Sequence, residues 1–144
     1  MYQKILVALE NSQSDQSLIP HITELAKQCG STLVLIHVAD GWAARNYALL
    51  QLAESEEMKA DRAYLEQIAD RMREAGLTVK VVLALGDPPT EILKVSVQEG
   101  CDLIAMTTHG HRLIGDLILG STIHEVRHRS EVPLLLVRDE SKKR

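Results

Sequence analysis

Phenylalanine is missing from this chain of 144 residues, and one tryptophan and three tyrosines are its only large aromatic side chains. Leu, Ile, Val and Ala must therefore fill the core, and an apolar content of 45% suits one compact domain spanning residues 1–144. Cysteine is scarce too. Cys29 and Cys101 fall at an expected helix end and an expected strand entry, and they form neither a metal motif nor a disulfide framework, so two reduced, largely buried thiols are expected. Positive charge is not in excess. A formal charge of −4 and a pI near 5.8 argue against a nonspecific nucleic-acid binder, whose affinity rests on clustered Lys and Arg. The basic tail Lys142-Lys143-Arg144 is too short to alter that. No apolar run approaches the roughly 18–20 residues that a spanning helix needs. Met1-Tyr2-Gln3-Lys4 leads straight into Ile5-Leu6-Val7-Ala8 rather than into a signal peptide, so a cytoplasmic protein with no membrane partner is expected.

What is present alternates strand and helix. Lys4 to Leu9 is a short continuous apolar run, the pattern of a strand covered on both faces, and Glu10-Asn11-Ser12-Gln13-Ser14-Asp15 ends it. Leu18, Ile22, Leu25, Ala26 and Cys29 form a helical stripe closed by Gly30. Pro20 lies inside that stripe, so either Ser17 caps the helix or the helix starts earlier and carries the proline. Thr32 to Val38 is the second strand. Asp40 to Ala53 is irregular, read as a loop with a helical end that could fold over a ligand. Glu54 to Ala75 is an amphipathic helix with Met58, Leu65, Ile68 and Met72 on its stripe and Gly76 at its end. Thr78 to Ala84 is the third strand; Asp87 then caps a helix that Pro88 and Pro89 open and Gly100 closes. Cys101 to Met106 and Val132 to Val137 are the fourth and fifth strands, separated by a glycine-bearing loop and a helix that ends near Arg129.

This alternation specifies an α/β fold in three layers with a parallel sheet, and a doubly wound, five-stranded sheet of strand order 3-2-1-4-5 with helices on both faces is expected. No internal repeat or linker divides it. In such sheets a ligand sits beyond the carboxyl ends of the strands where the order reverses. Ala8, Leu9 and Glu10 would then face Met106 and Thr107 across one crevice.

The stretch from Thr107 to Thr122 has the form of an anion site. Gly110 and Gly115 interrupt it, and Gly120-Ser121-Thr122 precedes a helical pattern. A helix beginning near Ser121 would present unpaired N–H groups and the positive end of its dipole to phosphate. The simpler alternative is that Ser121 is only an N-cap and Gly110 only a turn.

The chain resembles the universal stress proteins nearly end to end. The likeness is carried by Lys4-Ile5-Leu6-Val7-Ala8-Leu9-Glu10, His37-Val38, Gly86-Asp87-Pro88, Thr107-Thr108-His109-Gly110, Leu119-Gly120-Ser121 and Val132-Pro133-Leu134-Leu135-Leu136-Val137. The nucleotide-binding branch of that family carries Gly, two residues, Gly, nine residues, Gly, then Ser or Thr. Here Gly110 is followed by nine residues and then Gly120-Ser121. Thr107 stands where that pattern has its first Gly, and Glu10 where it usually has Asp. The resemblance implies adenine contacts from Ala8, Leu9 and Val38, ribose contacts from Glu10 and Thr107, and phosphate contacts from Gly110, Gly120, Ser121 and Thr122. Helix-start amides contribute about 0.3–1 kcal/mol towards an anion, up to ~2 when partly buried. A triphosphate therefore also calls for Mg²⁺, bridged by the phosphates rather than held by protein side chains, or for a cation such as Arg112.

Rival chemistries are weaker. His109 and His111 flank Gly110 and suit phosphate contact or metal ligation, with a solvated loop as the simpler reading. His124 and His128 stand at zinc-chelating spacing without a third ligand in the sequence, which favours a solvent-facing pair. Ser121 and His124 share a helical face, but no carboxylate is placed to orient the histidine as a hydrolase triad requires. A phosphoacceptor receiver would need an Asp at the end of the third strand and a Lys at the end of the fifth. Leu83-Ala84-Leu85 and Leu136-Val137-Arg138 stand there instead. Neither Gly-x-Gly-x-x-Gly nor a Gly-Lys-Ser/Thr loop occurs. The expectation is a regulator rather than an enzyme: it binds ATP, ADP or AMP with Mg²⁺, pairs as a homodimer through Val132 to Val137, and signals to an unidentified protein partner. The alternative is a nucleotide-free dimeric interaction module of the same fold.

Overall fold

The computed structural model describes residues 1–39, 56–109 and 117–141. Asp40 to Ala53 falls outside them, and with it the expected ligand-covering loop. The elements run β1 (Lys4–Ala8), α1 (Asp15–Cys29), β2 (Thr32–Ala39), α2 (Glu56–Glu74), β3 (Thr78–Leu85), α3 (Pro88–Glu99), β4 (Leu103–Thr108), α4 (Leu117–Arg129) and β5 (Leu134–Arg138). All five strands are parallel, in the order β3-β2-β1-β4-β5. This is the expected α/β architecture.

The side-chain alternation of a strand explains why the inner runs are apolar throughout. Ile5 and Val7 of β1 join Leu33, Leu35, Leu103 and Ala105 beneath α1 and α2, where Leu18, Ile22, Leu65 and Met72 meet them. Leu6 and Ala8 point the other way, with Val34, Ile36, Ile104 and Met106, against Ile92 and Val95 of α3 and Val126 of α4. Ile5, Leu6, Leu33, Leu35, Ile36 and Ile104 are wholly inaccessible to solvent. Burial of side chains of this size stabilises the fold by about 1.5–3 kcal/mol each.

Helix ends follow their local signals in most places. Asp87 accepts from the Thr90 N–H at 3.3 Å ahead of Pro88 and Pro89, as expected. Gly30 and Gly100 close α1 and α3 in the left-handed conformation at φ 69°, which disfavours any residue with a Cβ. α1 starts at Asp15 and carries Pro20 inside, so Ser17 is not its cap.

Boundaries differ from the sequence reading in β4, α4 and β5, and the first of these runs Leu103–Thr108 rather than Cys101–Met106. α4 begins at Leu117, so Gly120 lies in its first turn and Ser121 one turn in, and Ser121 is not the N-cap. A glycine costs about 1 kcal/mol in a helix. Here the helix runs through it. β5 is shifted from Val132–Val137 to Leu134–Arg138 because the Ser130 hydroxyl donates to the Val132 carbonyl at 2.8 Å and accepts from its N–H at 3.0 Å, closing a turn there. Pairing begins at the Pro133 carbonyl, which accepts from Ile104 N–H at 3.0 Å.

The amino ends of the strands are fastened by two carboxylates. Asp102 accepts from the N–H groups of Gln3 at 2.9 Å and Lys4 at 3.1 Å. Burial would raise its pKa, but these N–H groups outweigh that and hold it below the usual carboxylate range. Glu99 at the end of α3 meets Lys80 of β3 at 2.6 Å and Lys4 of β1 at 3.5 Å, and chiefly the Lys80 contact lowers its pKa. Among the described residues no helix is long and apolar enough to cross a membrane.

Candidate functional site

At the opposite end, β1 has β2 on one side and β4 on the other, the point where strand order reverses. A cavity of about 340 Å³ opens there. Its floor is apolar, from Ala8 of β1 and Leu9 just after it, Ile36 and Val38 of β2, Ile92 of α3 and Met106 of β4. Its rim is polar, from Glu10, Ser12, Ser14, Thr107, His109, Thr122 and Asp139. Such a floor suits a planar ring and such a rim a hydroxylated or charged group.

The loop that carries Glu10 is built around a buried acid. The Asp15 carboxylate accepts from the backbone N–H groups of Glu10 at 2.9 Å, Asn11 at 2.9 Å and Ser12 at 3.3 Å, and from the Tyr64 hydroxyl of α2 at 3.0 Å. Asp15 is 0% exposed. Burial pushes its pKa up, against the lowering effect of its N–H and hydroxyl donors. Tyr64 is pushed up in turn, by burial first and by the neighbouring Asp15 charge second. Asn11 takes the left-handed conformation at φ 57°, which asparagine tolerates better than most residues, and its amide donates to Asp61 of α2 at 2.9 Å. His37 Nδ1 donates to the Leu9 carbonyl at 2.9 Å, tying β2 to the same turn. The Glu10 backbone is thus fixed from α1, α2 and β2 together.

Its side chain is fixed as well. Glu10 Oε1 accepts from the Ser14 hydroxyl at 2.7 Å and from Ser12 at 3.4 Å. His109 Nε2 lies 3.1 and 3.0 Å from the two Glu10 oxygens. Across the crevice, Thr107 is 2% exposed and its hydroxyl has no hydrogen-bond partner among the described residues. Buried hydroxyls are normally paired, so an orphan on a residue that lines the cavity is an exception that a ligand group would account for.

The structure therefore brings Ala8, Leu9, Glu10, Val38, Met106, Thr107 and Thr122 to one cavity. Ser121 is exposed on α4, away from that wall. Gly110, His111 and Arg112 lie outside the described residues, while the backbone of Gly120 belongs to the first turn of α4. The solvated-loop reading of His109 is overturned: it is 9% exposed and clasped by acids. His124 and His128 face solvent as expected, with rings stacked 6.3 Å apart. Ser12, Ser14, Asp15 behind them, Asp139, and Ile36 and Ile92 of the floor are site residues that the sequence reading did not single out. The first three lie in a polar run read only as a strand end, and Asp139 is placed by the sheet alone. No group of three or more His, Cys, Asp or Glu is arranged for a metal ion among the described residues.

Comparison with known proteins places the chain in a family and matches its fold. The family model described as the universal stress protein family matches residues 1–138. The universal stress protein MJ0577 of Methanocaldococcus jannaschii is 26% identical, over 96% of this chain and 96% of its own length. The solved structure of MJ0577 aligns with a TM-score of 0.80 over 96% of both chains. A universal stress protein from Archaeoglobus fulgidus, solved in complex with dAMP, shares the fold at a TM-score of 0.70 and 16% identity, over 94% of this chain and 98% of its own. Another universal stress protein, solved in complex with cAMP, does so at 0.70 and 19%, over 96% and 98%.

Proposed function

The chain belongs to the universal stress protein family, and from that premise we propose that it binds an adenine nucleotide, ATP with Mg²⁺ foremost, in the cavity at the carboxyl ends of β1, β2 and β4. The observation that carries this reading is the pairing of an apolar floor with the fixed Glu10 carboxylate and the unpartnered Thr107 hydroxyl. Adenine lies over Ala8, Leu9 and Val38. Glu10 can only accept hydrogen bonds when ionised, whereas Thr107 can donate and accept, and ribose hydroxyls match both. The dAMP and cAMP complexes of proteins with the same fold support an adenine nucleotide in general.

The phosphates extend towards the amino end of α4, since Thr122 and Ile123 already line the cavity. The unpaired amides of a helix belong to its first residues, here 117–119, and Gly120 completes that first turn. Mg²⁺ bound to the phosphate oxygens would offset their charge. With Gly110, His111 and Arg112, these residues form the phosphate end of the proposed site.

We further propose a homodimer paired through β5, whose outer edge exposes Leu136 at 40% and leaves Val137 half-buried. The role is regulatory rather than catalytic, with a protein partner reading the bound state. Thermal unfolding with Mg-ATP tests the reading. Ligand at about 100 times Kd stabilises by about 2.7 kcal/mol, and the Gly120→Glu variant should lose that gain while staying folded. If millimolar ATP, ADP, AMP and cAMP all leave the midpoint unmoved, the nucleotide-free interaction module is the correct alternative.

A further inference from the structure

His109 stands between two acids from distant parts of the chain. Its Nε2 faces Glu10, and its Nδ1 lies 3.3 Å from Oδ2 of Asp139, just beyond β5. The three side chains are 10%, 16% and 2% exposed. Each acid is anchored on its own side. Glu10 is held by Ser12 and Ser14. Asp139 accepts from the Ser141 N–H at 2.8 Å and hydroxyl at 2.6 Å, and its own N–H donates to the Thr108 carbonyl at 2.7 Å. The next residue, Glu140, donates its N–H to the Ser17 hydroxyl of α1 at 2.8 Å. Among the described residues, the titratable groups that face the ring are Glu10 from the β1–α1 connection and Asp139 from the end of β5. Asp15 of α1 and Tyr64 of α2 stand behind Glu10.

A neutral imidazole carries one N–H and can donate to only one of two acids. Both links therefore hold together only when the cluster keeps one proton more than a neutral ring and two carboxylates would have. We propose that His109 is a positioning residue that couples the Glu10 carboxylate in the cavity to Asp139 at the end of β5 through this shared proton. The proposal rests on the cavity being the ligand site. A ligand hydroxyl that draws on Glu10 weakens one side of the ring and so alters how the end of the edge strand is held. Conversely, loss of the Asp139 charge lets the ring turn its single N–H wholly to Glu10, which changes what Glu10 offers a ligand.

Two measurements test this separately. In the ligand-free protein, long-range proton–nitrogen NMR resolves Nδ1 and Nε2 of His109. Asp139→Asn should shift the Nε2 signal, on the far side of the ring, as well as Nδ1. An Nε2 signal unchanged by Asp139→Asn overturns the coupling, whatever the protein binds. In calorimetric titration with ATP, Asp139→Asn should change Kd by about twofold or more, the smallest coupling usual for contacting groups, and should have no effect in the His109→Gln background. An equal effect in both backgrounds also overturns it. A wild-type protein that binds no nucleotide refutes the proposed function and leaves the NMR result to decide the coupling.

Discussion

Replacing Thr107 by valine separates the needs of the empty protein from those of its proposed ligand. The residue is 2% exposed in β4, and its hydroxyl has no partner among the described residues. A buried hydroxyl without a hydrogen bond costs about 1–3 kcal/mol, and valine keeps the branched shape while removing the polar atom. The lower end applies because the group borders a cavity, so the ligand-free variant should gain about 1 kcal/mol. For a chain of this size that raises the midpoint by roughly 2–4 °C. Affinity should move the other way. A hydrogen bond to a ligand contributes about 0.5–1.5 kcal/mol, so its loss weakens binding by about 2- to 13-fold. Differential scanning calorimetry reads the first effect and isothermal titration with Mg-ATP the second. A variant that melts below the wild type would show that the hydroxyl is already satisfied. Unchanged affinity would show that no ligand group reaches it. Either result refutes the reasoning.

Two further substitutions probe the frame. Asp15→Ala removes the acceptor of three backbone N–H groups and a tyrosine hydroxyl; it should destabilise by about 3 kcal/mol or more in urea unfolding and weaken nucleotide binding by freeing the Glu10 loop. Glu99→Gln removes a carboxylate whose pKa is lowered from 4.5 in the folded state. A lowered folded pKa means stability that is present above 4.5 and lost as pH falls through the folded value. The wild type should therefore melt above Glu99→Gln at pH 7, with the gap closing below pH 4.5 as the carboxylate is protonated; a gap that does not change with pH would contradict the assignment.

The fold was legible because its signals are local. The unbroken apolar runs of β1, β2 and β4, the stop at Gly30 and the Asp87-Pro88-Pro89 start each act within a few residues. The apolar floor was legible in two ways: a ligand crevice at the strand reversal follows from topology, which places Ala8 and Met106 together, and the family resemblance implies Val38 beside them. The start of α4 was not, since Gly120-Ser121-Thr122 imitates a cap while the helix begins at Leu117. Nor was the burial of His109, whose partner Glu10 is 99 positions away and whose partner Asp139 is placed only by the pairing of β5 with β4. Asp15 went unmarked for another reason. An acid in a polar run reads as solvated, and only the backbone turn around it reveals three N–H groups aimed inward.

The two rims of the sheet are made on opposite plans. At the amino ends, Asp102 and Glu99 spend their oxygens on backbone and lysine partners, so that one acid joins β1 to β4 and the other reaches from α3 to both β1 and β3. This rim acts as a foundation, indifferent to what is erected above it. Substitutions on the far rim can then remodel the guest without loosening the masonry, and a lineage can change its chemical vocabulary while keeping one architecture.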